Sequence, residues 1–107
     1  MKAPPLPLVQ GTLDLLILRV LASGPNHGYR IATLVNQLTD GDLAIEDAAL
    51  YQALHRLDLV EAEWAASENN RRARYYTLTS EGRSRLRDET AAWRRYTRAV
   101  GAVLEGA

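Results

Sequence analysis

Leu86, Trp93 and Val100 recur every seven residues near the end of the sequence, joined by Tyr96, Val103 and Leu104 and flanked by Arg83, Arg85, Arg87, Arg94, Arg95 and Arg98. Apolar residues at that interval in a charged segment make a seam along one side of a long helix. The 107 residues contain no later segment to cover the seam, and soluble chains rarely expose a contiguous apolar patch. The expected solution is a second copy of the chain. An isologous twofold dimer would pack this helix against the first and last helices of its mate, with Leu15, Leu18, Leu86, Trp93, Tyr96, Val100 and Leu104 in the contact.

The preceding residues divide into short elements. Residues 1–8 are rich in proline and are expected to form a flexible arm. In residues 11–22, Leu13, Leu16, Ile17, Val20 and Leu21 share one helical face, with Thr12 as the expected cap. Leu15 and Leu18 fall on another face, which is why they are assigned to the dimer contact. A turn at Ser23, Gly24, Pro25 and Asn26 leads to a second helix over residues 28–38, with Ile31, Leu34, Val35 and Leu38 inward. Glu46 or Asp47 then caps a third helix whose buried stripe is Leu50, Ala53, Leu54 and Leu57, leaving Tyr51, Gln52, His55 and Arg56 outside.

Two strands follow, over residues 59–64 and 72–77, joined by turn chemistry at Ser67, Glu68, Asn69 and Asn70. In the second strand Tyr75 and Tyr76 take opposite sides, and Tyr76 is expected inward with Leu78.

The tip of this β-hairpin carries Arg71, Arg72 and Arg74. Formal net charge is zero, yet residues 1–68 hold four Lys/Arg against nine Asp/Glu and residues 69–107 hold nine against four. Positive charge gathered in one half calls for an anionic partner or a solvated face.

Several classes of function are excluded on composition. With no cysteine there is neither disulfide nor thiolate chemistry, and the two histidines, His27 and His55, lie far apart without an acidic cluster, so no metal site is expected. His27 precedes a glycine at a helix start, where capping or packing accounts for it. No nucleophile motif, glycine-rich phosphate loop or paired acids occur, so neither enzyme activity nor a cofactor is expected. The longest apolar run, residues 15–18, is too short to span a bilayer and the first residues lack a signal-peptide core. A cytoplasmic protein without a membrane partner is expected.

Three helices, a hairpin and a long last helix give a mainly α fold with a small β-hairpin, in the order of a winged helix-turn-helix domain. That order places the third helix against a DNA major groove and the hairpin, or wing, on the flanking backbone or minor groove. Residues 9–78 would form this domain and residues 79–107 a C-terminal dimerisation helix.

The segments "QGTLDLLILRVL", "HGYRIATLV", "LYQALHRL", "EAEW" and "NNRRARYYTLTSEGRSRL", with the tryptophan-bearing last helix, resemble short-tailed members of the PadR family of transcriptional regulators. The resemblance runs from Val9 to Leu104. It implies a homodimeric repressor that binds an inverted repeat in double-stranded DNA through the third helix and the wing, and that in some members answers to small aromatic compounds. On that resemblance Tyr51, Asn70, Arg71, Arg72 and Arg74 are DNA-binding residues, and Ala49, Gln52, His55 and Arg56 of the same third helix are further candidates by their position beside Tyr51. Trp93 is both interface core and a candidate platform for an aromatic ligand.

Two departures fall in the DNA-reading part. Ala48, Ala49 and Gln52 stand where the family usually has glycine, a hydroxyl residue and proline, and Glu46 and Asp47 bring negative charge to the start of the third helix. The connection between "HRL" and "EAEW" is also several residues shorter than is usual. These departures motivate a rival expectation: a ligand-binding or protein-interaction dimer of the same fold with weakened DNA recognition.

Overall fold

The computed structural model describes residues 3–67 and 69–106. Its elements are α1 (Thr12–Leu21), β1 (Asn26–His27), α2 (Gly28–Leu38), α3 (Asp47–Arg56), β2 (Val60–Ala66), β3 (Arg72–Leu78) and α4 (Ser80–Gly106). The expected hairpin is present, pairing Val60 with Leu78 at its root and Ala66 with Arg72 near its tip. A third strand joins it: Asn26 and His27 pair with Tyr76 and Tyr75, giving an antiparallel sheet in the order β1-β3-β2. Two residues are too few to show an alternating pattern, so the sequence marks only a turn there.

Helix α1 is the centre of the core. Ile17, Leu18 and Leu21 have no exposed surface and pack with Ile31 and Val35 of α2, Leu50, Ala53 and Leu54 of α3, and Tyr76 and Leu78 of β3. Each fully buried leucine or isoleucine contributes about 1.5–3 kcal/mol. The two apolar faces of α1 therefore have a cause inside the chain, since helices and sheet surround it. Leu18 is sealed in that core and offers no surface to a second copy, which corrects its assignment to the dimer contact. Leu86, half-buried, likewise packs against the chain's own core.

Local chemistry sets the helix boundaries. Gly11, at φ 87°, takes the cap position of α1 instead of Thr12, whose buried hydroxyl has no hydrogen-bond partner. Left-handed backbone at that point favours glycine. His27 caps α2, its Nδ1 accepting from the Arg30 N–H at 3.2 Å. At the other end of α2 the Thr39 hydroxyl donates to the Val35 carbonyl at 2.8 Å and accepts from the Leu43 N–H at 3.0 Å. Leu38 is 78% exposed rather than inward, at the last residue of α2, where it lines an open surface cleft with Arg19 and Val20 of α1. Glu46 occupies the cap position of α3 without a side-chain cap bond.

The short connection after α3 is closed by backbone. Helix α3 stops at Arg56, and the Leu59 carbonyl then accepts from both the N–H and the hydroxyl of Thr79, at 3.0 and 3.1 Å. The Thr79 hydroxyl in turn accepts from the Gly82 N–H at 3.0 Å, capping α4. A Cβ on Gly82 would stand 2.4 Å from the Leu59 oxygen, so only glycine admits this approach.

Helix α4 runs for 27 residues. Its first turns pack on the domain, and every residue from Ala91 to Val100 is exposed. Among the described residues, no helix is long and apolar enough to cross a membrane.

Candidate nucleic-acid interface

Burial of Leu50, Ala53 and Leu54 fixes the rotation of α3 and turns Tyr51, Gln52, His55 and Arg56 outward, as the spacing predicts. A groove of about 720 Å³ lies between this face and the wing. Ala48, Tyr51, Gln52 and His55 form one wall, and Ala62, Arg74 and Tyr76 form the other.

Sheet register decides which wing residues face the groove. Side chains alternate across a strand, so Val60, Ala62, Trp64 and Ala66 share a face with their partners Leu78, Tyr76, Arg74 and Arg72. At the root this face is core: Tyr76 and Leu78 are buried. Toward the tip the same face becomes basic. The Arg72 guanidinium sits 4.7 Å from the Trp64 ring centroid and that of Arg74 sits 5.9 Å from it. Glu61 and Glu63 pair with Thr77 and Tyr75 on the opposite face. The pleat thus separates Glu61 and Glu63 from Arg72 and Arg74.

At the tip Asn70 adopts φ 57°, a left-handed conformation that asparagine tolerates better than most residues. Its N–H donates to the Ser67 carbonyl at 2.8 Å, and the Ser67 N–H donates to the Arg71 carbonyl at 2.8 Å. Asn70 therefore shapes the turn, while Arg71 stands exposed beside it.

Tyr51 is half-exposed, its ring resting on Gly28. Burial pushes its phenol above the usual tyrosine range, with smaller contributions from Tyr76 and Asp47. It is thus a neutral hydrogen-bonding hydroxyl. Glu46 and Asp47 are exposed at the start of α3.

Two expected site residues lie elsewhere. Arg56 makes two hydrogen bonds to Asp14 of α1, at 3.0 and 3.2 Å, and does not line the groove. That ion pair raises its pKa further. Ala49 is half-buried, and Ala48 lines the groove instead. Trp64 was not singled out from the sequence. The signal was its alternation with Glu61 and Glu63, which becomes informative only once the register sets it opposite Arg74.

A second cavity, of about 430 Å³, brings Leu15, Trp93 and Tyr96 together with Thr12 between the start of α1 and the middle of α4. The Trp93 and Tyr96 rings stack at 6.4 Å. Val100 and Leu104 lie further along α4 and are exposed.

A third helix held outward beside a basic hairpin, on a three-helix core, is the arrangement of a winged helix-turn-helix protein. The chain belongs to the PadR-like family of transcriptional regulators, whose profile matches residues 17–88. It is accordingly a DNA-binding transcriptional regulator and not an enzyme.

It is 35% identical to a PadR family regulator from Eggerthella lenta, over 92% of this chain and 86% of that one, with a TM-score of 0.71. A PadR family regulator from Clostridium difficile is 27% identical, over 88% and 99% of the two chains, with a TM-score of 0.74. A PadR-like regulator from Bacillus cereus shares the fold, with a TM-score of 0.79 at 24% identity over 92% and 96%. An uncharacterised protein from Lysinibacillus sphaericus is 26% identical over 102 residues, 92% of this chain and 94% of its own length.

Proposed function

We propose that the protein is a cytoplasmic repressor that binds an inverted repeat as a homodimer. Residues 9–78 read the DNA and residues 79–107, the segment that contains α4, carry dimerisation. The groove between α3 and the wing carries this reading: Tyr51, Gln52 and His55 face Arg74 across it, with Arg72 on the same side. In this docking α3 enters the major groove while Arg71, Arg72 and Arg74 contact phosphates. A flat aromatic ligand against Trp93, between the subunits, would relieve repression by altering how the two α4 helices cross.

A fluorescence-anisotropy titration against the DNA upstream of the gene tests the reading. Specific binding is expected, weakening with salt at a log-log slope on the order of minus five if about six phosphates are neutralised. Equal affinity for random duplex would sink it. The exposed Glu46 and Asp47 favour a second reading, a ligand-binding or protein-interaction dimer with weakened DNA recognition. Under that reading, replacing Arg71, Arg72 and Arg74 by alanine leaves function untouched.

A further inference from the structure

Trp64 is 53% exposed on a wing strand, and burial does not explain so large an apolar side chain there. Two guanidinium groups lie over its ring, at 4.7 and 5.9 Å. Arg74 reaches it from directly across the strand pair and Arg72 from two residues further toward the tip. Among the described residues of the hairpin no carboxylate shares their face, since Glu61 and Glu63 point to the other side. An arginine in water samples many rotamers, and holding one for a phosphate contact costs side-chain entropy. A ring held by the strand pair lowers that cost. It engages the guanidinium through its π face and leaves the in-plane N–H groups free to donate.

We propose that Trp64 is a positioning residue for DNA binding: its ring holds Arg72 and Arg74 on the groove side of the wing, with their donors aimed outward. The proposal rests on the regulator reading above and adds to it the residue that sets the arginines' direction. Trp64 itself touches no phosphate in this scheme and acts through the two arginines. Tyrosine or phenylalanine at this position would retain part of the effect, because the attraction follows the ring, and leucine would not.

The first arm of the test uses the free dimer or monomer without DNA. In nitrogen-edited NMR spectra the Nε–H signals of Arg72 and Arg74 are expected to be displaced by the ring current of Trp64, and to return to ordinary positions in Trp64→Leu. Undisplaced signals in the unaltered protein overturn the proposal whatever happens with DNA.

The second arm measures anisotropy on specific DNA. Trp64→Leu should weaken binding about three- to tenfold with the salt slope unchanged, because the same arginines still reach phosphates. Trp64→Tyr should recover part of the loss. In the Arg72→Ala/Arg74→Ala background, Trp64→Leu should add nothing. An additive loss there overturns the proposal in favour of direct contact by Trp64, and unchanged affinity of Trp64→Leu overturns it while leaving the regulator reading standing. Absence of specific binding by the unaltered protein removes that reading and this role together. Thermal melting of Trp64→Leu within about 3 °C of the parent separates positioning from loss of fold.

Discussion

The phenol of Tyr51 lies over Gly28, so that a Cβ on the glycine would stand 2.6 Å from the Tyr51 oxygen and 2.8 Å from two of its ring carbons. The first turn of α2 is thus a shelf for a side chain on the outer face of α3. Gly28→Ala leaves the helix geometry permitted and displaces only the end of a side chain. Stability should change by less than about 1 kcal/mol while specific DNA affinity falls by about fivefold to tenfold, the loss of one well-aimed hydrogen bond. Parallel melting and anisotropy measurements check this, and an unchanged affinity would show that the shelf has no bearing on DNA.

Alkaline titration gives a second check on Tyr51. Its folded-state pKa is raised above the ordinary 10.0, chiefly by burial. A raised pKa contributes stability that is complete below pH 10 and is lost as pH climbs through the folded value. The phenolate absorbance should therefore include a late component that vanishes in Tyr51→Phe, and the parent should lose stability relative to that variant above pH 10. A late component that persists in the variant contradicts the assignment.

Arg56 offers a contrast with the wing arginines. Its two bonds to Asp14 hold it against α1, and with 63% of its side chain exposed the pair is screened by solvent and adds little to stability. Arg56→Ala should leave DNA affinity within about twofold, whereas Arg74→Ala should lower it about tenfold and flatten the salt slope. Equal losses for the two variants would place Arg56 on the DNA after all.

The uncovered seam of α4 predicts association. Trp93, Tyr96, Val100, Val103 and Leu104 are all at least 37% exposed in the single chain. Sedimentation at micromolar concentration should give a dimer, and Trp93→Asp with Val100→Asp a monomer or an unfolded chain, because the contact would bury unpaired charge. A parent protein that sediments as a monomer contradicts this.

Much of this architecture was legible because helical stripes and strand alternation are local signals. The rotation of α3 follows from Leu50, Ala53 and Leu54, and the inward side of β3 from Tyr76 and Leu78. What stayed hidden depends on distant partners. Leu18 read as an outer residue because a helical wheel cannot distinguish a second subunit from a second layer of the same chain. Arg56 read as a DNA contact because Asp14 is 42 residues away in sequence. Trp64 gained a role only when the register put Arg74 opposite it, and the Thr79 cap only when the Leu59 carbonyl arrived beside it.

That Leu59 carbonyl has a mechanical consequence. Locked to Thr79 and pressed against Gly82, it makes the root of the wing and the first turn of α4 one rigid elbow. A tilt of α4 is then transmitted to the hairpin as a rotation about its base. Over seven-residue strands, about 23 Å long, a rotation of about 10° sweeps the tip by about 4 Å, enough to carry an arginine off one phosphate and short of the next. In the proposed dimer, the span between the two wings would therefore be a dial turned by the angle at which the α4 helices cross.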